Sequence, residues 1–378
     1  MTRRIDIIAG ARPNFMKIAP IMHAFAARGA RGGAGISGGA AGGSLALVPR
    51  LVHTGQHYDR RMSADFFEQL GIPEPDVNLE CGSGTQAEQT AAIMTRYERL
   101  LMDAPSAACV VVGDVTSTMA CAIVARKMGM PVAHVEAGIR SGDWSMPEEI
   151  NRVVTDSITN WYFTTSAVAN ANLRRAGAAE SSILFVGNTM IDTLLANLGR
   201  LREPTFWRAE RLEAGRYLVL TLHRPANVDD PSSLRRLLDT IAAHRQDRAI
   251  VFPVHPRTAK GIAAIGGAPD GMVLVEPQPY LEFIHLVKHS CGVITDSGGI
   301  TEETTVLGIP CMTLRDSTER PETVTVGTNE LIGTDPSAIP PAMSRLLAGQ
   351  WKSGTIPPLW DGRTGARIVE HLERLLAR

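Results

Sequence analysis

The stretch GVITDSGGITEE, residues 292–303, combines a buried β-strand with the start of a helix. Its first four residues form an apolar run, and the small residues Ser297, Gly298 and Gly299 follow near the end of that run. When a strand feeds a helix through small residues, bare backbone N–H groups lie at the positive end of the helix dipole and bind phosphate. Glu303, in the first two turns, can accept hydrogen bonds from a ribose. We therefore predict that this stretch binds a nucleotide.

The same residues are also compatible with a tight strand-to-helix turn in which Ser297 is only the N-cap. A short glycine motif alone is weak evidence for nucleotide binding. Ligands bind open α/β sheets beyond the carboxyl ends of the strands. The polar residues that follow the other strands therefore decide between the two interpretations.

Short apolar strands alternate with helical patterns along most of the chain. The strand patterns cover residues 5–9, 47–54, 108–113, 132–136, 161–165, 216–221, 249–254, 272–275 and 292–295. Such alternation predicts parallel sheets covered by helices on both faces. We predict an α/β fold of two doubly wound Rossmann-like domains facing a central cleft.

The predicted N-terminal domain covers residues 1–187 and the C-terminal, nucleotide-binding domain covers 188–360. A loop of small residues over 29–44 follows the first predicted helix, and a further helix is predicted over 63–70. A last helix is predicted over 366–376.

Composition limits the class of protein. The chain has 378 residues, of which 44% are hydrophobic and 20% charged, with a net charge of −1. A near-neutral protein has no global field for nucleic acid or anionic membrane, so we expect neither as a partner. The 5 cysteines form no CxxC pair, and no apolar run reaches the length of a membrane span. These features predict a cytoplasmic protein without disulfides or a metal site.

Charged residues follow several strands of the first half. Arg12 and Lys17 follow the first strand, Asp114 the strand at 108–113, and Glu136 the strand at 132–136. Isolated residues of these types are more often solvated surface groups or helix caps. A carboxylate directly after an apolar strand, with small residues behind it, favours a functional role.

Glu148 and Arg152 lie on the next predicted helix. Their i,i+4 spacing puts both on one face, where they can pair. Ser145 and Glu148 also have the spacing of a capping box, which is the structural alternative.

The second half repeats the pattern. His223 follows the strand at 216–221, and His255 follows the strand at 249–254. A strand-end histidine is often structural, but two of them beside a phosphate-binding turn favour an anionic ligand. Gln278 and Phe283 lie near a helix start, where an aromatic ring can contact a base or pack in the core.

Motifs from both halves together carry a resemblance. They are Gly10-Ala11-Arg12-Pro13 with Lys17, Thr54-Gly55-Gln56-His57, Gly113-Asp114, His134-Val135-Glu136-Ala137-Gly138-Ile139-Arg140, Pro147-Glu148-Glu149-Ile150-Asn151-Arg152, His223-Arg224, Thr295-Asp296-Ser297-Gly298-Gly299 and Glu319-Arg320-Pro321-Glu322. Nearly from end to end, the chain resembles the non-hydrolysing UDP-N-acetylglucosamine 2-epimerases. The resemblance implies the GT-B-type fold, a last helix that packs on the first domain, a homodimer, and a role in cell-surface polysaccharide biosynthesis.

The resemblance also implies roles for individual residues. Asp114, Glu136 and Glu148 correspond to catalytic carboxylates, with His223 beside them and Arg152 near them. The implied substrate-binding residues are Arg12, Lys17, His223 and Arg320 at the pyrophosphate and sugar, Ser297, Gly298 and Gly299 at the diphosphate, Glu303 at the ribose, and Gln278 and Phe283 at the uracil. Gln56 and His57 match a second, activating site for UDP-N-acetylglucosamine.

The chemistry of such an epimerase fits these residue types. The C2 proton of the sugar becomes acidic once UDP leaves C1, so the site needs cations for the leaving group and carboxylates for the proton. No cofactor is required. A hydrolysing 2-epimerase, a 2-epimerase of a modified UDP-sugar such as a 2,3-diacetamido uronic acid, and a non-catalytic nucleotide-sugar binder are the alternatives.

Overall fold

The computed structural model describes residues 2–10, 12–33, 46–55 and 69–377, and for residues 12, 13 and 31–33 it describes only the backbone. The chain divides into two compact units. The first unit comprises Met1–Ala196 with Pro358–Arg378, and the second comprises Asn197–Pro357. Each contains a parallel β-sheet with helices packed against it.

The first unit is built on a seven-stranded sheet. Its strands are β1 (Thr2–Ala9), β2 (Ala46–His53), β3 (Val77–Asn78), β4 (Ala108–Val112), β5 (Val132–Val135), β6 (Trp161–Thr164) and β7 (Ile183–Phe185). Their order in the sheet is β3-β2-β1-β4-β5-β6-β7. Its helices include α1 (Arg12–Gly33), α2 (Gln86–Asp103), α3 (Thr116–Lys127), α4 (Pro147–Ile158), α5 (Ala167–Arg175) and α6 (Thr189–Asn197), with a 3₁₀ turn at Glu180–Ser182.

The second unit is built on a six-stranded sheet. Its strands are β8 (Tyr217–Thr221), β9 (Ala249–Pro253), β10 (Met272–Val275), β11 (Gly292–Thr295), β12 (Cys311–Thr313) and β13 (Asn329–Leu331). Their order is β10-β9-β8-β11-β12-β13. The helices are α7 (Pro225–Val228), α8 (Pro231–Ala243), α9 (Pro256–Ala264), α10 (Tyr280–His289), α11 (Gly298–Leu307), α12 (Pro321–Thr325) and α13 (Ile339–Leu347), with 3₁₀ turns at Leu198–Arg200 and Pro336–Ala338.

The central strands are buried on both faces. Every residue of β4 and of β11 is buried, as expected for parallel strands covered by helices on both sides. In the second unit Leu218 and Leu220 of β8 pack with Ile250 and Phe252 of β9 in one apolar cluster. The predicted α/β class with two Rossmann-like units is confirmed.

Each sheet has one point where the strand order reverses. In the first unit β1 lies between β2 and β4, and in the second unit β8 lies between β9 and β11. At such a switch point the connecting helices diverge to opposite faces and leave a crevice beyond the carboxyl ends of the strands. Residues that directly follow β1 and β4, or β8 and β11, therefore border the crevice of their own unit.

The first unit ends after Ala196 rather than near the predicted boundary at 187. Gly187 lies directly against Leu359: a Cβ at position 187 would come within 2.2 Å of the Leu359 carbonyl oxygen. The Thr193 hydroxyl of α6 donates to the Met16 carbonyl of α1 at 2.5 Å. These contacts hold α6 in the first unit.

The last helix, α14 (Thr364–Leu376), also packs in the first unit. It contacts α1, and Gly365 approaches α1 so closely that a Cβ would lie 2.3 Å from the Pro20 carbonyl oxygen. The Gly365 N–H donates to the Asp192 carboxylate at 2.8 Å. Only a residue without a side chain fits at this contact.

Several elements differ from the sequence prediction. Helix α1 continues to Gly33 and so includes the start of the predicted small-residue loop, whose remaining residues 34–44 lie outside the described part of the chain. Most of the predicted 63–70 helix also lies outside it. Strands β3, β7, β12 and β13 were not predicted, because two or three residues carry no readable period. Within the described residues no helix has the length and apolarity needed to cross a bilayer.

Candidate active site

The turn between β11 and α11 begins a helix that its N-cap residue does not cap with a side chain. Ser297 is the N-cap residue, with φ −85° and ψ 135°, but within the described residues its side chain makes no capping hydrogen bond. A Cβ at Gly299 would meet nothing within 4 Å, so space remains in front of this helix end. The Ser297 side chain therefore does not cap this helix. The Ser297 N–H itself donates to the Thr295 hydroxyl at 2.9 Å, so the N–H groups that the turn offers to an anion are those of Gly298 and Gly299 in the first helical turn.

Asp296 ties this turn to the end of β8. It is fully buried and accepts hydrogen bonds from the backbone N–H groups of His223 and Arg224, at 3.1 and 2.9 Å, and from Asn227 Nδ2 at 3.1 Å. Its Oδ1 atom also pairs with His223 Nδ1 at 2.8 Å. Burial alone would raise the pKa of Asp296, but His223 and the other donors together hold it below the ordinary value. The His223 ring is therefore oriented by a buried carboxylate.

Two arginines lie beside the 297–299 turn. Arg315 Nη1 is 2.8 Å from Glu319 Oε2, and Arg224 Nη2 is 3.5 Å from Glu319 Oε1. A Cβ at Gly298 would lie 3.6 Å from Arg315 Nη1. The turn thus combines a helix N-terminus with nearby guanidinium groups, the arrangement that binds phosphate in proteins.

The first turns of α11 carry two buried carboxyl groups with different surroundings. Glu302 Oε1 pairs with Arg320 Nε at 2.7 Å. Burial raises the pKa of Glu303 to about 8; the Tyr280 hydroxyl acts in the opposite direction, and the charge of Glu302 adds to the rise. Glu303 is therefore largely protonated at neutral pH, while Arg320, predicted at the pyrophosphate, lies against Glu302.

The other predicted residues of the second unit lie on α10 and the loop before it. Phe283 is half-buried and packs against an apolar cluster that includes Val219 and Val293. Gln278 Nε2 donates to the Glu276 carbonyl oxygen at 2.7 Å. The structure therefore gives Phe283 a core contact and leaves its predicted contact with uracil untested.

The first unit brings Lys17 and Glu136 together. Lys17 Nζ of α1 lies 2.6 Å from Glu136 Oε2, directly after β5. Both groups border Gly113, because a Cβ there would lie 3.2 Å from Lys17 Nζ and 3.7 Å from Glu136 Oε2. Glu136 has φ 68°, a strained conformation for a residue with a side chain. Such strain is often retained where a side chain must point into a site.

Asp114 pairs with Arg152, and Arg152 in turn pairs with Glu149 at 2.8 Å. The Glu149 carboxylate accepts further hydrogen bonds from the Ser141 and Gly142 N–H groups, at 2.9 and 3.1 Å. Burial alone would raise the pKa of Glu149, but these donors and Arg152 hold it below the ordinary value. Arg152 is therefore clamped between two carboxylates.

This network corrects one prediction. Arg152 was expected to pair with Glu148 at i,i+4, but it pairs with Glu149 at i,i+3 and with Asp114. The capping box is also absent: the N-cap of α4 is Met146, and the Ser145 N–H donates to Asp143 at 2.9 Å. Glu148 is half-buried and forms no ion pair among the described residues. Its carboxylate is not committed to helix capping.

Residues to which the sequence analysis gave no individual role complete the first unit's site. His134 is fully buried on β5, with Nδ1 2.7 Å from Asp156 Oδ1 and Nε2 2.8 Å from the Gly113 carbonyl oxygen. Asn14 Nδ2 donates to the Val112 carbonyl at 2.8 Å. These groups fix the ends of β4 and β5, and no local pattern marks them, because their partners come from other elements.

The predicted residues thus form two groups, one in each unit. Asp114, Glu136 and Arg152 lie together with Lys17 in the first unit, and His223 lies beside the 297–299 turn in the second. The Arg12 side chain and the residues Gln56 and His57 lie outside the described part of the chain. Over the described ranges, no group of three or more His, Cys, Asp or Glu side chains is arranged to bind a metal ion.

Two Rossmann-like units, each with a parallel sheet between helices, define the class: this is a protein of the GT-B type. The family model described as UDP-N-acetylglucosamine 2-epimerase matches residues 44–373. The chain belongs to the UDP-N-acetylglucosamine 2-epimerase family, and the predicted family resemblance is confirmed.

Individual relatives cover nearly the whole chain. The UDP-N-acetylglucosamine 2-epimerase of Methanocaldococcus jannaschii is 38% identical over 98% of both chains. The UDP-2,3-diacetamido-2,3-dideoxy-D-glucuronate 2-epimerase of Pseudomonas aeruginosa is 35% identical over 98% of this chain and 100% of its own. The crystal structure of the M. jannaschii enzyme in complex with UDP-GlcNAc and UDP superposes with a TM-score of 0.83 at 38% identity, covering 98% of this chain and 99% of that one.

Proposed function

We propose that the protein reversibly epimerises UDP-N-acetylglucosamine at C2 to UDP-N-acetylmannosamine, by elimination and re-addition of UDP through a glycal. The observation that carries this proposal is the pair of carboxylates after the adjacent strands β4 and β5. Asp114 pairs with Arg152, and Glu136 pairs with Lys17. A carboxylate in such a position can act as a general base and accept a proton.

The second unit supplies the features that a leaving nucleotide needs. When the C1–O bond breaks, its electron pair leaves with UDP, and the departing diphosphate gains charge. The N–H groups of Gly298 and Gly299, with Arg315 and Arg224 beside them, can stabilise that charge. Arg12, Lys17, His223 and Arg320 are the further cations that we assign to the pyrophosphate and sugar. Glu303 is assigned to the ribose, and Gln278 and Phe283 to the uracil.

The sugar then loses and regains one proton. Loss of UDP leaves an oxocarbenium-like ring, so the C2 proton becomes acidic and a carboxylate removes it, forming the C1=C2 double bond of a glycal. A proton returns to C2 from the opposite face, and a UDP oxygen adds back to C1. We assign these transfers to Asp114, Glu136 and Glu148 as a group, with His223 at the nucleotide. Gln56 and His57 remain assigned to a second, activating site.

A solution NMR assay tests this function. The purified protein is incubated with UDP-N-acetylglucosamine in D₂O, and we expect UDP-N-acetylmannosamine with deuterium at C2, because the removed proton exchanges with solvent. The Asp114→Asn and Glu136→Gln variants should lose turnover by at least about 100-fold while still binding UDP. Glu180→Gln is the matched control, since Glu180 is an exposed carboxylate of the same unit that pairs with Arg174.

Other products would identify the alternatives. Accumulation of UDP and free N-acetylmannosamine would indicate a hydrolysing 2-epimerase. The identity of 35% to an enzyme named for a diacetamido glucuronate makes a modified UDP-sugar the second candidate substrate. Turnover of that uronic acid, and none of UDP-N-acetylglucosamine, would establish it. Binding of UDP without any turnover would leave only a nucleotide-sugar binder.

A further inference from the structure

The His134 ring lies between two groups that only accept hydrogen bonds. Its Nδ1 atom is 2.7 Å from a carboxylate oxygen of Asp156, and its Nε2 atom is 2.8 Å from the Gly113 carbonyl oxygen. A neutral imidazole carries one N–H and one bare lone pair, whereas an imidazolium carries two N–H groups. Only the doubly protonated ring can donate to both neighbours. The neutral ring would place a lone pair against an oxygen in a buried site.

The surroundings of Asp156 support a charged ring. Asp156 Oδ2 is 2.6 Å from Arg140 Nη1 and 3.0 Å from the Gly138 nitrogen, which donates to it. Burial alone would raise the pKa of Asp156, but His134 and Arg140 together hold it below the ordinary value. A buried, ionised carboxylate is the partner that an imidazolium needs to remain buried.

His134 also touches the peptide group that carries Asp114. Gly113 directly precedes Asp114 and has φ +71°, so the chain turns sharply there. Its N–H donates to the Val135 carbonyl at 3.0 Å, and its own carbonyl accepts from His134. Asn151 Nδ2 donates to the Asp114 carbonyl at 2.8 Å. The backbone on both sides of the Asp114 side chain is therefore held by hydrogen bonds from β5 and α4.

We propose that His134 is a doubly protonated positioning residue, which joins Asp156 to the Gly113 carbonyl and so holds Asp114 and Glu136 in place for proton transfer. This inference rests on the proposed C2 chemistry. The ring does not touch the sugar in this role; it acts through the strand ends. The other ionisable groups around His134 come from several elements. Glu149, Arg152 and Asp156 lie on α4, and Arg140 lies in the loop before it. Tyr162 lies on β6, Lys17 on α1, and Glu136 directly after β5.

The protonation state can be measured without reference to catalysis. In the full-length protein labelled with ¹⁵N-histidine, we expect both His134 nitrogens at the shifts of protonated ring nitrogens at neutral pH. His53 is an internal reference, since burial lowers the pKa of its ring and keeps it neutral. One protonated and one bare nitrogen at His134 would overturn the proposed charge.

Two variants separate the two hydrogen bonds. An Asn amide nitrogen occupies about the place of Nδ1 and keeps the link to Asp156, whereas a Gln amide nitrogen occupies about the place of Nε2 and keeps the link to Gly113. We expect His134→Asn to lower kcat by about 100-fold and His134→Gln by less, because loss of the Gly113 contact displaces Asp114. KM and the affinity for UDP should change by less than about 3-fold, since both variants leave the 297–299 turn intact.

The outcomes distinguish this inference from its premise. His371→Asn, at a half-buried histidine of the same unit beside Phe163, is the control and should keep kcat. If His134→Asn folds and retains wild-type kcat, the positioning role is wrong even though the enzyme is an epimerase. If the two variants lose kcat equally and in proportion to their loss of melting temperature, His134 is merely structural. If the wild-type protein has no epimerase activity, the proposed function fails, while the NMR measurement still decides the charge of the ring.

Discussion

Replacing Glu303 with glutamine is expected to flatten the dependence of stability on pH. The folded-state pKa of Glu303 is raised to about 8, from an ordinary value of 4.5. Below pH 4.5 the Glu303 carboxyl is protonated in both the folded and the unfolded state. Between pH 4.5 and pH 8 it loses its proton in the unfolded chain but keeps it in the folded protein. The wild-type protein therefore loses stability as pH rises through this window, by about 1.4 kcal/mol per pH unit. Glutamine has no proton to lose, so its variant lacks this contribution.

The size of the effect is large enough to measure. Between about pH 5 and pH 7 the free energy of unfolding of the wild type should fall by about 2.5 kcal/mol through Glu303, and the Glu303→Gln variant should not show this loss. For a unit of this size that corresponds to a difference of about 5–10 °C in melting temperature. Calorimetry or a fluorescence melt at both pH values, following the transition that UDP shifts, measures it. Glu276→Gln, at an exposed position of the same unit, is the control.

One result would refute this reasoning. If the difference in melting temperature between wild type and Glu303→Gln is the same at both pH values, Glu303 is ionised in the folded protein and its burial has no such effect. If the proposed contact with a ribose hydroxyl is right, UDP favours the ionised form of Glu303. Binding at neutral pH should then release up to one proton, which titration calorimetry in buffers of different ionisation enthalpy detects.

Two further predictions concern the second unit and the response to acid. In a UDP titration, Gly299→Ala should weaken binding by at least about 10-fold, because its methyl group enters the open space in front of the helix N–H groups. Gly199→Ala is the control. A Cβ there also meets nothing within 4 Å, and this variant should leave the affinity unchanged in the same titration. The lowered pKa values of Asp156 and Asp296 stabilise the fold above their ordinary value of 3.8, and this stability is lost as pH falls through the lowered folded-state values. Asp296→Asn should therefore show a smaller loss of melting temperature between about pH 5 and pH 3 than wild type; an equal loss would exclude that carboxylate as a contributor.

The sequence located the residues that directly follow strands, because their position depends on local structure. Apolar runs predict buried parallel strands, and the polar residues after them necessarily lie at the carboxyl edge of the sheet. This is why Asp114, Glu136, His223 and the 297–299 turn can be identified from the order of residues alone. The family resemblance rests on the same motifs, and the family model confirms it.

The partners of these residues could not be predicted in the same way. Spacing alone allowed Arg152 to pair with Glu148, but tertiary packing turned it toward Glu149 and Asp114. The first unit extends beyond the predicted boundary at 187 for a similar reason. Gly187 contacts Leu359, which is distant in the sequence, and no local pattern predicts that contact. Periodicity along a helix gives the face of a residue, and does not give the element that covers that face.

By itself, the sequence determined the alternating strands and helices, the small-residue turn at 297–299 and the carboxylates after β4 and β5, because these depend on neighbours a few residues away. Only the tertiary structure decided which charges meet: Lys17 with Glu136, Arg152 with Asp114, and His134 between Asp156 and Gly113. Ion pairs and buried hydrogen bonds require contact within a few ångströms. Residues separated by 21 to 119 positions reach that distance only through the packing of strands and helices in the folded unit.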